Sequence, residues 1–368
     1  MPVRESASTR NTFASTPSSL RRLRSWGLLP AAAAVLAASL VAGCSKTDDS
    51  ESSIVRTTTV IAGAGVVGID RDTTQACGLP SAVDAGAGAT RSIAHAAGVS
   101  EVPTDPKRIV VLSTAALDAA CALGLWERVV GAATVSGPTP QPAYLGSGIS
   151  AIPGVGAVGS IDPAKIAALK PDVIIGAAAD GPQYDALKAI APTVLVAPDA
   201  GWQEQFGAIG EALGRHTAAE KDLDDYRTAA RDAGAAVNAG LTQASVIRFG
   251  AKDIQVQGGN SFAGQVLGDT GVQRPQPQRG NSFDLTSLSA QADRIKVEGD
   301  IVYVMFDGAD GLSYGKSVMN GDDWKKLGAV ADRREFAVDD SIWHGSGITA
   351  ARALVFDISK SLNNYVSD

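Results

Sequence analysis

The chain has 368 residues, 45% of them apolar, with 32 lysines and arginines against 39 aspartates and glutamates and a net charge of −7. That apolar share belongs to a globular protein, and the length suits two domains. The acidic balance argues against nucleic acid as a partner and against charge-driven binding to anionic lipid.

Arg21, Arg22 and Arg24 precede an apolar run from Leu28 to Val41, and Leu40-Val41-Ala42-Gly43 leads into Cys44. A basic region, a short apolar region and small residues before a cut make a secretory signal. The run is too short for a comfortable membrane span. Cys44 at the cut resembles a lipobox, in which the cysteine takes a lipid and becomes the mature N-terminus. The expected place is then the outer face of the cell membrane, lipid-anchored and exported. An ordinary signal peptide containing a cysteine, or a short anchor helix, is the alternative. Arg21-Arg22 is a weak hint of twin-arginine export. Residues 1–43 are excluded from fold reasoning. The remainder carries 27 basic and 38 acidic residues, a charge of −11.

From residue 45 to about 104 the sequence is rich in Gly, Ala, Ser and Thr with little periodicity, which predicts a flexible tether and a loosely packed extension. Gly63-Ala64-Gly65-Val66-Val67-Gly68 matches the dinucleotide fingerprint formally. No helix continues after Gly68, and Gly78 and Pro80 follow, so that function is rejected. Cys77 and Cys121 remain once Cys44 is lipidated. Export permits a disulfide between them, while the apolar helical surroundings of Cys121 also suit a buried thiol.

Beyond Lys107, continuous apolar strands alternate with helices. Strands are predicted at Arg108–Leu112, Arg128–Ala133, Val173–Gly176 and Val194–Ala197. Helices are predicted at Ala115–Gly124, from the Asp162-Pro163 start to Leu169, and at Tyr184–Ile190. Strands apolar throughout mean a parallel sheet covered on both faces. A long helical stretch, about Gln203 to Val237, carries charge on most faces of its later part and is expected to bridge two bodies. The alternation then restarts, with strands at Ser245–Phe249, Asp253–Gln257, Ile301–Phe306 and Glu335–Val338. Helices are expected at Phe262–Leu267, Leu288–Ile295, Asp323–Leu327 and Ile348–Leu362. The expected fold is α/β, two Rossmann-like lobes joined by a single long helix, with a ligand cleft where they face. Its parts are a signal at 1–43, tether and extension at 44–106, an N-terminal lobe at 107–215, a connecting helix at 216–240 and a C-terminal lobe at 241–368.

Four segments in this order resemble the iron–siderophore class of ABC-transporter substrate-binding proteins, over roughly Lys107 to Val366. They are Arg108-Ile109-Val110-Val111-Leu112-Ser113 running into Asp118–Leu125; Pro153-Gly154-Val155-Gly156 through Ser160-Ile161-Asp162 to Ala168–Ile174; Ile190-Ala191-Pro192-Thr193-Val194; and Trp324–Val330 before Arg333 and Phe336. The extension from Ile61 to Cys77, with Trp343 and Gly345, is most similar to the FecB-type lipoproteins of actinobacteria. The resemblance implies the helical-backbone fold of metal- and siderophore-binding proteins. It also implies capture of a ferric chelate such as a siderophore for an ABC permease, with no cofactor. Haem or a corrinoid is the alternative ligand. A structural envelope lipoprotein with a degenerate cleft is the alternative role. Relatives present one acidic side chain per lobe to the permease.

The residues themselves fit a chelated metal better than a bare ion. His95, His216 and His344 are scattered, and no metal-binding spacing occurs. No G-x-S-x-G motif is present, so no enzyme is expected. Aromatic walls and a few arginines would hold a chelate. Trp202, Tyr184, Trp343 and Tyr314 lie in or near segments that follow strands, where open α/β sheets bind ligands. Arg279 sits in a polar loop. Arg248 interrupts an apolar strand, which requires a partner or an open end.

Overall fold

The computed structural model describes residues 60–86, 88–137, 139–197 and 201–363. Cys44 and the export segment lie outside the described residues. Among the described residues no helix is long and apolar enough to cross a membrane.

The chain opens with a short hairpin, β1 (Val60–Ile61) and β2 (Ala64–Val66), and a second, β3 (Thr90–His95) and β4 (Gly98–Pro103). The N-terminal lobe follows with β5 (Ile109–Val111), α1 (Thr114–Ala122), β6 (Val129–Thr134), α2 (Ser147–Ser150), β7 (Gly154–Ala157), β8 (Ser160–Ile161), α3 (Pro163–Leu169), β9 (Val173–Ala177), α4 (Tyr184–Lys188) and β10 (Thr193–Val196). Asp162 caps α3, with Pro163 at its first position, as the sequence predicts. Next come α5 (Trp202–Ala212) and α6 (His216–Ala236). The C-terminal lobe contains β11 (Ala244–Phe249), β12 (Ile254–Val256), α7 (Phe262–Asp269), β13 (Phe283–Leu285), α8 (Gln291–Val297), β14 (Ile301–Phe306), α9 (Gly308–Met319), α10 (Asp322–Lys325), α11 (Gly328–Ala331), β15 (Glu335–Ala337), α12 (Asp340–Trp343) and α13 (Ile348–Asn363).

Two sheets result. One runs β10-β9-β5-β6-β7-β8, the other β1-β2-β15-β14-β11-β12-β13. Their central pairs are parallel. Alternation along each strand sends residues to opposite faces. On β5, Ile109 and Val111 join the core that also holds Ala244, Val246, Tyr303 and Met305 of the other lobe. Val110 and Leu112 face outward, with Ile166 and Leu187. The outer face of the second sheet, with Ile247, Phe249, Val302 and Val304, packs on Trp324 and Leu327. The inner faces of both sheets therefore share one core, filled between them by α1, α5, α6, α7 and α13.

The long helical stretch is two helices, not one. The break is at Gly214, whose φ of +70° suits glycine, and a Cβ there would strike the Thr104 carbonyl. In α6 a stripe of Ala219, Leu223, Tyr226, Ala230 and Gly234 is buried while the rest stays polar.

The largest departure from expectation is the extension. From Val60 it is pinned along its length rather than loosely packed. Strand β2 adds to the edge of the C-terminal sheet, in parallel register with β15 at Phe336↔Gly65 and Ala337↔Val66. Arg71 pairs with the buried Asp357 of α13. Cys77 is disulfide-bonded to Cys121 of α1. Asp84 accepts hydrogen bonds from the His216 and Thr217 backbone amides at 2.7 and 3.0 Å, which caps α6 from 132 residues away in sequence. The chain thus passes between the lobes twice, once in this strap and once through α6. Short strands without periodicity leave no sequence signal for that docking. Gly63 turns a hairpin, and no helix follows Gly68, in agreement with rejection of the nucleotide motif.

A second tie lies at the start of α6. The Arg215 side chain is fully buried and donates to Asp105 at 2.7 Å, and Arg128 reaches the same carboxylate at 2.6 Å. Burial opposes ionisation of Asp105, but hydrogen bonds from Arg215, Lys107 and Arg128 outweigh it and hold the carboxyl well below the usual range. A depressed carboxyl pKa contributes stability that is present above the ordinary carboxylate range and lost as pH falls below it. Asp105→Asn should therefore flatten the acid limb of the stability–pH profile below about pH 4, and cost about 2–3 kcal/mol at neutral pH by leaving Arg215 without its anion. Urea titrations across pH would check both. Separately, Cys77→Ser should lower unfolding free energy by about 3–4 kcal/mol, from the 44-residue separation of the bonded cysteines. Denaturant titration of the oxidised wild type and the variant would measure it.

Candidate functional site

The geometry of the two sheets points to one edge. Helix α1 starts where β5 ends, Tyr144 lies in the loop region after β6, and α12 and α13 follow β15. These segments meet at Asp118. The Thr349 and Ala350 backbone amides, at the start of α13, donate to its carboxylate at 2.8 and 3.0 Å, and the Tyr144 hydroxyl donates at 3.0 Å. Asp118 is fully buried. Burial raises its pKa, and the three hydrogen bonds oppose that rise. A Cβ on Gly347 would collide with the Asp118 side chain, so the close approach of α13 to α1 depends on glycine there. The carboxyl ends of both sheets therefore converge on one place, where such sheets present their ligand sites.

Arg248 stands at that edge. It points to the inner face of β11, as Ala244 and Val246 do, but beyond the end of the apolar core. Its Nε and one terminal nitrogen grip Asp340 at 2.6 and 3.0 Å, and Asp307 lies at 3.0 Å. The strand charge thus has both remedies expected of it, partners and an open end. The Asp340 hydrogen bond raises the Arg248 pKa, against burial. His344, one residue beyond α12, belongs to the same group. Its side chain is open to solvent, yet burial lowers its pKa, the Arg248 charge adds to that, and Asp340 and Asp307 oppose it.

The other predicted contacts lie elsewhere. Trp202 is 4% exposed and packs edge-on against Tyr226 and Phe262, with ring centroids at 5.0 and 5.8 Å. It belongs to the helix layer between the lobes. Trp343 is 1% exposed, donates its indole N–H to Asp357 at 2.9 Å and lies 4.3 Å from the Tyr303 ring. It too is core. Tyr314 lies on α9 rather than in a loop, half-buried against Phe249. Tyr184 opens α4 and faces His95 on the β3–β4 hairpin, at 3.5 Å. Arg279 is exposed and donates to the Arg274 carbonyl at 3.2 Å. Arg274 in turn bonds the carbonyl of Ala244, the first residue of β11, so Arg279 stands at the opposite, amino end of the sheet. Burial of the indoles is the general reason: a tryptophan whose N–H finds an internal acceptor, or whose ring finds other rings, gains more as core than as wall. Asp307, Asp340 and His344 were missed. Their signal was positional, since each follows the carboxyl end of a predicted strand, and Arg248 needed carboxylates.

Two hollows lie beside the helices, the second reaching Tyr144 and Thr349. One of about 680 Å³ runs along the helix layer past Gln203, His216 and Arg227. Another of about 540 Å³ lies under the strap, against Tyr144, Ala353 and Phe356. Neither includes Arg248 or His344. Among the described residues no group of His, Cys, Asp and Glu could hold a metal ion.

Residues 109–341 match the periplasmic binding protein family. The chain belongs to that family. A probable siderophore-binding lipoprotein of Bacillus subtilis, YfiY, is 30% identical over 284 residues, covering 73% of this chain and 86% of the relative. The Fe(3+)-citrate-binding protein YfmC of Bacillus subtilis is 26% identical over 286 residues, covering 75% and 87%. Among solved structures, Staphylococcus aureus SirA complexed with staphyloferrin B has a TM-score of 0.64 at 26% identity, over 74% of this chain and 99% of that one. The two-lobed fold expected from the sequence is that of these binding proteins. In this member of the family the lobe junction rests on Asp118. Asp118→Ala should destabilise by about 3–5 kcal/mol, because it strands two buried amides, whereas Tyr144→Phe should cost about 1 kcal/mol. Urea unfolding of both variants would test the ranking.

Proposed function

We propose that the protein captures a ferric siderophore at the edge formed by Arg248, Asp307, Asp340 and His344 and hands it, chemically unchanged, to an ABC importer. The observation that carries the reading is the convergence of the carboxyl ends of both sheets in a chain of this family. The similar proteins support the ligand class, since a siderophore, ferric citrate or staphyloferrin B appears in the name of each. Cys44 as a lipid anchor agrees with the lipoprotein names of two relatives. The permease and the outer membrane face follow from the same role. No cofactor and no catalytic step are part of it.

Isothermal titration with ferric hydroxamate, catecholate and citrate complexes, and with haem, tests the proposal. At least one ferric chelate should bind one-to-one at micromolar Kd or tighter, with iron-free chelators weaker and the chelate recovered intact. His344→Ala should weaken binding about tenfold, about 1.4 kcal/mol, without moving the melting temperature. Failure of every ferric chelate to bind, or preference for haem, would overturn the reading.

A further inference from the structure

We propose that the site selects ferric chelates that carry no net negative charge. This rests on the function proposed above and names the charge class of its ligand. The reason is what lines the carboxyl edge. In the N-terminal lobe, the described segments leaving β5, β6, β9 and β10 carry one ionisable side chain of fixed charge, Asp180, and no lysine or arginine. In the C-terminal lobe β11 contributes Arg248 near its end, and the turn after it Lys252 and Asp253. The start of α9 contributes Asp307 and Asp310, and the segment after β15 contributes Asp339 and Asp340. Two cations thus stand among five carboxylates, since Asp180 is buried and accepts from the Ala177 amide. Arg248 is already held by Asp340 and Asp307, so it has little charge to offer an incoming anion.

Three of the helix starts at this edge, those of α1, α12 and α13, already hold acceptors. An anion can bind a helix N-terminus through its unpaired amides. Here the Ser113 hydroxyl accepts from Ala116 at the start of α1, and the Asp118 carboxylate accepts from Thr349 and Ala350 at the start of α13. Asp339 accepts from Ser341 at the start of α12. At α9 the first turn carries its own Asp310. The guanidinium at this edge is thus occupied and three of its helix starts hold internal acceptors, whereas α9 and α5 have no side-chain cap. A trianionic ferric catecholate would meet a surplus of like charge. A neutral ferric trihydroxamate would not, and one bearing a pendant ammonium would be attracted.

The test compares three ferric chelates by calorimetry at about 20 mM and about 500 mM salt. They are a linear trihydroxamate with a free terminal ammonium, the same molecule acetylated at that nitrogen, and a tricatecholate. At low salt the ammonium form should bind at least tenfold tighter than the tricatecholate and tighter than its acetylated twin. Its lead should shrink at high salt, where screening shortens to about 4–5 Å. Asp310→Lys, an exposed site in the first turn of α9, should weaken the ammonium form and strengthen the tricatecholate, each by threefold or more at low salt. Equal or tighter binding of the tricatecholate overturns the charge rule while leaving chelate capture intact, as does an Asp310→Lys variant that shifts neither ligand. Absence of binding by all three overturns both.

Discussion

A single buried carboxylate sets the relation of the two lobes. Asp118 is fully buried, has no basic side chain among its three donors, and spans the gap between an N-terminal helix and the first turn of the closing helix. A buried carboxyl is costly to ionise, and hydrogen bonds from two backbone amides and a hydroxyl offset that cost. The two backbone amides carry most of that contact. It also uses the positive end of α13, where an anion is favoured. Glycine at 347 brings the helix near enough, and Tyr144 brings the loop after β6 to the same point. The cleft edge inherits its position from this joint.

Around that joint the lobes are fastened more than a helix-linked pair requires. The inner faces of both sheets share one apolar core, and each fully buried Leu, Ile or Phe in it is worth about 1.5–3 kcal/mol. Separating the lobes would expose those side chains. The strap from Val60 to Asp84 adds a strand to one lobe, a disulfide to the other and a cap to α6 between them. Arg71 and Trp343 meet on the two oxygens of Asp357, so the strap is also tied to the core of the second lobe. Small adjustments at the edge are the motions this construction leaves inexpensive.

The sheet strands were legible in the sequence because burial on both faces removes alternation and leaves apolar runs such as Ile109-Val110-Val111. A cap with local partners, Asp162, was legible because its donors lie within three residues. What could not be read depends on distant pairing. Nothing near residue 84 announces that it caps a helix at 216, and nothing near Gly65 announces β15. The indoles were misplaced for a related reason. Trp343 precedes a helix at the correct edge, but its direction is decided by Asp357, fourteen residues on, and by Tyr303.

Arg248 shows how a residue can be located correctly and its role still misjudged. A charge in an apolar strand was expected either to have a partner or to stand at an open end; it has both. Its guanidinium is planar and always charged, so two carboxylates can satisfy it from different directions. Those carboxylates come from the first turns of α9 and α12, which fixes both helix starts against the end of β11. The arginine consequently organises the edge as a scaffold before it can attract anything. Its charge is spent within the fold, and the polarity left facing solvent is that of the surrounding aspartates. The aromatic residues assigned to the wall are largely core, so what the edge presents to solvent is His344 and an arrangement of charge whose sign is negative.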